Sequence, residues 1–294
     1  MRIAVTGATG FIGQNLIRAL ALTGNEIIGL ARHTSKIQSH PTNVRYMAAD
    51  INDAESLPRT LQKVNVIYHL VGIIAETKEL TFTGTVVTGT ENIIAACKSA
   101  GVGKIIYLSA LGTGSDAMGK YFRSKWEAEE KIRNSGLEYA IIRPSVVYGP
   151  GDRFINMLAR MIKYFPVTPI PGSGRMRLQP IYVENLTALL VSILDSPGAW
   201  GKTLEIGGPE ALEYRQMIAI IKKVLNRRRP NIYIPLRLMK LSAAVLESFM
   251  KPSPLTRDQI GMLSRDNICD NRELLNVIDI KLTRMENDLK EYLR

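Results

Sequence analysis

Two groups of residues in this chain could do chemistry. The first is Thr6-Gly7-Ala8-Thr9-Gly10-Phe11-Ile12-Gly13, which follows the apolar run Ile3 to Val5 and opens a helical pattern from Gly10 to Leu22. Gly7 permits a tight turn, Gly10 lets backbone approach a ligand, and Gly13 lets the helix pack closely on the strand. The unpaired N–H groups of a helix start attract phosphate. Gly7, Thr9, Gly10, Phe11, Ile12 and Gly13 are therefore the candidate cradle for a dinucleotide diphosphate. The second group is Tyr121-Phe122-Arg123-Ser124-Lys125. Its i, i+4 spacing puts Tyr121 and Lys125 on one helix face. A phenol ordinarily titrates near 10, and a neighbouring ammonium lowers that value. Such a tyrosine can give a proton to a carbonyl as hydride arrives, or take one as hydride leaves. The plainer reading is that Tyr121 packs and Lys125 is solvated.

The end of the second strand selects the cofactor. A carboxylate there would hold the ribose 2′-hydroxyl of NAD(H). The chain instead reads Gly29-Leu30-Ala31-Arg32-His33-Thr34. The planar fork of Arg32 suits a 2′-phosphate, so NADP(H) is expected, with NAD(H) as the alternative and a plain surface charge as the bland reading of Arg32. His33, His40 and His69 are scattered, and Cys97 and Cys269 have no partner at ligand spacing, so no metal site is expected. No nucleic-acid motif accompanies the positive charge.

These residues need a scaffold, and the pattern supplies one. Strand patterns at Ile3 to Val5, Glu26 to Leu30, Val44 to Ala48, Val64 to Leu70, Lys104 to Ser109 and Tyr139 to Arg143 are interleaved with helical patterns at Thr85 to Ala100 and Lys120 to Ser135. Strand–helix alternation predicts an α/β fold, a doubly wound parallel Rossmann sheet. Past Pro150 the character changes: Pro166, Pro169, Pro171, Gly172 and Gly174 punctuate a loop-rich stretch. The reading is a dinucleotide-binding domain over 1–150, with 178–197 returning to it as a strand, Gln179 to Val183, and a helix, Glu184 to Asp195. A smaller C-terminal substrate or partner lobe takes 151–177 and 198–294. Pro235 to Met250 forms an apolar helix pattern with Arg237 and Lys240 near its start. It reads first as lobe core, and second as a surface for a partner helix or an anionic membrane.

The chain has 294 residues, 46% hydrophobic and 22% charged, which excludes wholesale disorder. Two cysteines cannot build a disulfide framework and fit a reducing compartment. The 12-residue apolar run Val64 to Ala75 is too short for a bilayer span. The N-terminus runs straight into a strand pattern without the features of a signal peptide. A cytoplasmic location follows as the expectation, with peripheral membrane contact open. Net charge is +11, lying +4 in residues 1–150 (16 Lys/Arg against 12 Asp/Glu) and +7 beyond (22 against 15). That excess favours anionic partners, a phosphorylated cofactor, anionic lipid or nucleic acid, with one cluster at Lys222, Lys223, Arg227, Arg228 and Arg229. The bland reading is a solvated helix face.

The glycine spacing, Gly-x-x-Gly-x-x-Gly, resembles the short-chain dehydrogenase/reductase superfamily in its extended or atypical branch. Further segments are similar: Ala49-Asp50-Ile51, His69-Leu70-Val71-Gly72 and Arg143-Pro144-Ser145-Val146-Val147-Tyr148-Gly149-Pro150-Gly151-Asp152. The resemblance implies that Asp50 and Ile51 contact the adenine, that Leu70, Val71 and Gly72 line the cofactor, and that Pro144, Ser145 and Val146 flank the nicotinamide. It makes Tyr121 and Lys125 the catalytic pair, with Lys125 also on the nicotinamide ribose. The family's third catalytic member is a hydroxyl one or two places beyond Ser109, where this chain has Ala110 and Leu111; Ser109, or else Thr113, is the remaining candidate. Arg153, Arg175 and Arg177 lie where the extended branch grips substrate phosphates. Gln179-Pro180-Ile181-Tyr182-Val183-Glu184-Asn185, Ile206-Gly207-Gly208-Pro209-Glu210 and Pro254-Leu255-Thr256-Arg257-Asp258-Gln259-Ile260 resemble the subgroup that includes the 39-kDa accessory subunit of respiratory complex I. Two roles follow from the resemblance: hydride transfer of the oxidoreductase, epimerase or dehydratase type, or a non-catalytic NADP(H)-binding scaffold or assembly factor for a membrane complex.

Overall fold

Short β-branched and aliphatic runs form a parallel seven-stranded sheet. In the computed structural model, which describes residues 1–34, 40–249 and 256–293, the strands begin β1 (Arg2–Thr6), β2 (Glu26–Ala31), β3 (Val44–Ala48), β4 (Val66–His69), β5 (Lys104–Leu108) and β6 (Glu138–Pro144). Short β7 (Val147–Tyr148), β8 (Thr168–Pro171), β9 (Arg177–Leu178) and β10 (Ile181–Tyr182) precede β11 (Lys202–Ile206), β12 (Leu212–Glu213) and β13 (Asn231–Ile234). The sheet order is β11-β6-β5-β4-β1-β2-β3. The order reverses between β1 and β4, which opens a crevice at their carboxyl ends where ligands bind in such sheets.

Helices α1 (Phe11–Ala21), α2 (Leu57–Thr60), α3 (Gly89–Ala100) and α4 (Lys120–Arg133) are the crossovers of the first half. A six-residue π-helical turn, Thr83–Thr88, leads into α3. The second half carries α5 (Phe154–Tyr164), α6 (Val183–Ser192), α7 (Tyr214–Val224), α8 (Leu236–Phe249), α9 (Arg257–Met262), α10 (Arg272–Leu275) and α11 (Met285–Tyr292). One face of the sheet packs Ile3, Val5 and Tyr68 against Leu16 of α1 and Leu186, Leu189 and Leu190 of α6. The other packs Ala4, Ile67 and Ile105 against Ile93 of α3 and Ala128 and Ile132 of α4. A third core joins Tyr148, Leu158 of α5, Met217 of α7 and Leu289 of α11.

Helix α6 packs on the sheet, where Tyr68 donates its hydroxyl to Leu190 O at 2.8 Å. Three local readings need correction. Only Ile181–Tyr182 of the expected strand 179–183 is extended, paired with β7, because Val183 already starts α6. Lys202–Ile206, placed in the second lobe by the sequence reading, instead forms the β11 edge of the main sheet against β6. Leu274 and Ile278, assigned to the same lobe, also pack into the sheet's core. Of the residues singled out in the sequence, Met250, Pro254 and Leu255 lie outside the described residues.

Candidate dinucleotide site

The glycine segment bridges the ends of β1 and β4. Gly7 has φ +69°, a left-handed conformation that a side chain would strain, and a Cβ there would also press on the Leu70–Val71 backbone at 3.4 Å. A Cβ on Gly13 would lie 2.2 Å from Gly7 O, so only glycine lets α1 sit this close to the loop. Gly10 is the N-cap of α1 and donates its N–H to Gly7 O at 2.9 Å. No side chain caps that helix start, and no acid stands in its first turn. Phe11, Ile12 and Gly13 thus carry first-turn amides with no intrahelical acceptor. A buried-edge glycine cradle with open amides and no competing carboxylate fits a diphosphate. The loop is tied to β2 by Ala8 N to Leu30 O at 3.3 Å and stiffened by Gln14 Nε2 to Thr9 O at 2.9 Å.

The flanking positions follow the carboxyl ends of β2, β3 and β6. Arg32 is exposed just past β2 and makes no ion pair among the described residues. Asp50 turns the chain after β3 by accepting from Asn52 N at 2.9 Å. Ile51 is buried against Gly89, and its carbonyl accepts from Asn92 Nδ2 at 2.9 Å. Ser145 N donates to Ile206 O at 2.8 Å, and its hydroxyl donates to Asn267 Oδ1 at 2.7 Å. Asn267 in turn donates to Leu111 O at 2.9 Å, while Leu111 N donates to Pro144 O at 2.9 Å. Asn267 therefore holds the β6 exit to the β5 exit. The sequence reading passed over it, since nothing local links it to Ser145. Val146 and Gly151 continue from that exit, and Gly151 faces the Phe11 ring.

Beneath the crevice lies a polar chain. Thr90 donates its hydroxyl to Val86 O at 2.5 Å, so it can only accept from His69 Nε2, 3.1 Å away. That assigns the proton to Nε2 and leaves Nδ1 to accept from Thr6 Oγ1 at 2.8 Å. Thr6 Oγ1 accepts Leu70 N–H at 3.2 Å, fixing the turn after β4. Burial, aided by the Lys125 charge, pushes His69 down to about 3, so it stays neutral.

Tyr121 and Lys125 stand on one face of α4, but their surroundings differ from the sequence expectation. Lys125 is buried, donates to Leu108 O at 2.9 Å, lies 4.7 Å above the Tyr107 ring, and has Nζ 3.1 Å from where a Gly72 Cβ would be. Gly72 is thus the position that admits the ammonium. Burial, partly opposed by Glu129, pushes Lys125 down to about 8. Tyr121 is wedged between the rings of Phe82 and Phe122 at 6.0 and 5.1 Å. Burial pushes its phenol up to about 12. The expected lowering by a neighbouring ammonium does not prevail, because the aromatic wedge desolvates the phenolate.

Ser109 is committed elsewhere. Its hydroxyl donates to Glu129 Oε1 at 2.5 Å, and Thr113 Oγ1 lies 3.5 Å away. Glu129 is wholly buried one turn past Lys125 and also takes a two-pronged contact from Arg143 at 2.9 and 2.7 Å and one from Arg133 at 2.5 Å. The spacing 121, 125, 129 was the available signal for Glu129. Further out, Arg177 is pinned by Asp266 at 2.6 Å. Arg153 lines a cavity of about 420 Å³ with Arg160, Lys163 and Tyr292.

Fold and site together define a protein that binds a nicotinamide dinucleotide on a Rossmann sheet. The chain belongs to the NAD(P)H-binding family, whose pattern matches residues 7–153. It is homologous to the complex I 39-kDa subunits: it is 28% identical over 92% of its length, and 71% of the other's, to the mitochondrial NADH dehydrogenase (ubiquinone) 1 alpha subcomplex subunit 9 of Arabidopsis thaliana. In fold it is similar to UDP-glucose 4-epimerase with UDP-glucose from Thermotoga maritima, at TM-score 0.80 and 20% identity over 100% of this chain and 97% of that one. The same holds for UDP-glucuronic acid 4-epimerase from Bacillus cereus in complex with UDP-glucuronic acid and NAD, at TM-score 0.77 and 18% identity, covering 100% and 99%.

Proposed function

We propose that this protein holds NADP(H) at the β1/β4 crevice as an integral part of its fold, serving as a binding subunit or assembly factor of a membrane complex rather than as a fast oxidoreductase. The observation that carries this reading is the pairing of an open glycine cradle with a spent hydroxyl. Ser109 gives its proton to buried Glu129, and the next two positions, Ala110 and Leu111, have none to give. Of the hydroxyls expected to polarise a carbonyl only Thr113 is left, buried 3.5 Å from Ser109 Oγ, while the glycine cradle that would hold a dinucleotide persists. The naming of the Arabidopsis relative as a subunit of NADH dehydrogenase supports the membrane-complex part. When bound, the nicotinamide supplies or accepts hydride. Gly7 to Gly13 bind the diphosphate, Asp50 and Ile51 face the adenine, Leu70, Val71 and Gly72 with Pro144, Ser145 and Val146 wall the nicotinamide, and Lys125 donates to its ribose. Arg32 pairs with the 2′-phosphate.

A second reading is hydride exchange with an anionic, nucleotide-linked substrate, with Tyr121 moving the proton. The retention of Tyr121 and Lys125 on one helix face at the crevice favours it. Titration calorimetry with NADPH and NADH on wild type and Arg32→Ala tests cofactor choice. NADPH should bind more tightly, and the variant should lose that preference by roughly tenfold or more. Equal affinities for the two cofactors in wild type would refute the role of Arg32. Bound NADPH offered a panel of carbonyl compounds should stay reduced. Oxidation that disappears in Tyr121→Phe would replace the binding role with the second reading.

A further inference from the structure

Helix α8 is apolar on two opposite faces. Its inner face buries Ala243, sets Leu236 against Gly172, and is closed onto α9 by Glu247 and Arg257 at 2.6 Å. The outer face carries Leu238, Leu241, Val245 and Phe249, which are 58, 64, 50 and 85% exposed. At 3.6 residues per turn these four fall within an arc of about 80°, on the side away from Ala243. A helix on a folded surface ordinarily turns polar residues that way. Scattered exposed apolar residues are common, whereas a continuous stripe of four marks a contact surface.

The charges around the stripe say what it contacts. Arg237 stands beside it, about 40° round the helix from Leu241, and Lys240 lies about 60° further round; both are exposed and without an ion pair among the described residues. Arg227 and Arg228, likewise exposed and unpaired among those residues, sit at the far end of β13, roughly 13 Å of strand away. The one acid of α8, Glu247, is engaged by Arg257. An apolar stripe with an unpaired arginine at its edge, on a helix whose only acid is already engaged, complements a surface with a fatty interior and anionic headgroups. The 14-residue helix is about 21 Å long, short of the roughly 30 Å of a bilayer core. No helix among the described residues is long and apolar enough to cross a membrane.

We propose that the outer face of α8 seats on an anionic lipid surface. The helix lies in the interface plane, with Leu238, Leu241, Val245 and Phe249 at the headgroup–acyl boundary and Arg237 and Lys240 reaching up to the headgroup phosphates. This inference stands independently of cofactor binding, which serves as its control. The test is flotation of the full chain with vesicles of phosphatidylglycerol mixed into phosphatidylcholine, and with phosphatidylcholine alone. The protein should co-float with the anionic vesicles and be released by salt. Arg237→Gln with Lys240→Gln should lower partitioning about thirtyfold. Leu241→Asp with Val245→Asp should abolish it while leaving the dinucleotide affinity and melting temperature of wild type. Three results would each overturn the proposal: no flotation on anionic vesicles, flotation indifferent to Leu241→Asp/Val245→Asp, or a self-association that those two changes abolish without any vesicle binding.

Discussion

Lys125 concentrates the energetics of the site in one residue. Its ammonium is buried with one carbonyl acceptor and an aromatic face for company, and burial pushes it from 10.5 down to about 8. The unfolded lysine keeps its proton to about 10.5 while the folded one releases it near 8. Between those values the unfolded chain binds more protons, so this group makes stability rise with pH. Its full penalty, about 3 kcal/mol, is present below 8 and is gone above 10.5. Lys125→Met should therefore be more stable than wild type near pH 7, and the gap should close as pH rises through 8 to 10.5. Denaturant midpoints of both proteins across that range check the sign. Dinucleotide affinity should move oppositely. Wild type should bind more weakly as Lys125 loses its proton near pH 8, and the variant should bind weakly throughout. A pH-independent difference in both measurements would show that Lys125 is solvated, as its plainer sequence reading had it. The Tyr-x-x-x-Lys spacing was legible because four residues make one helical turn. The environment was not, because Gly72, Tyr107 and Phe82 reach the pair from other elements.

Helix α4 shows what an element adds beyond its motif. Trp126 to Lys131 carries four charged residues, yet Glu129 among them is fully buried. It serves as the shared acceptor for Ser109, Arg133 and Arg143, fastening α4 to the ends of β5 and β6. The Arg133 and Arg143 guanidiniums also lie over the Trp126 ring, at 5.0 and 5.9 Å. Removing one partner from such a buried cluster leaves charge uncompensated, at a cost of about 3–5 kcal/mol. Glu129→Gln should lose most of that in urea unfolding, and Lys125 should fall further because Glu129 holds it up. A change within about 0.5 kcal/mol, the range of ordinary surface substitutions, would show that the cluster is solvated and replaceable. Elements with one strong local signal, such as β1, α1 and β4, were readable from sequence. Edge strand β11 was not: Lys202-Thr203-Leu204-Glu205-Ile206 alternates polar and apolar, a pattern silent about which sheet it joins.

At the scale of the molecule, the sequence boundary near residue 150 is not a boundary of the core. The sheet face that carries Ile3, Val5 and Tyr68 is completed by Leu186, Leu189, Leu190 and Ile193 from α6 and its exit, and by Leu204 and Ile206 of β11. All six are 0% exposed. The chain thus leaves the nucleotide half, builds the α5–α7–α11 core, and returns twice. Tyr148 ties the two by donating to Asp288, on α11. Burying an aliphatic side chain is worth about 1.5–3 kcal/mol. Stripping six of them from one face therefore removes about 10 kcal/mol or more, comparable to the whole stability of a typical domain. A fragment of residues 1–150 retains the glycine cradle, Tyr121 and Lys125 but lacks those partners. It should keep much of its helical far-ultraviolet signal while losing near-ultraviolet structure, binding an apolar dye and melting without a sharp transition. It should also fail to bind NADPH, because the crevice is positioned by a sheet that no longer packs. A sharp, cooperative melt of that fragment, raised by NADPH, would show that the first 150 residues hold their own core and that the returning segments merely decorate it.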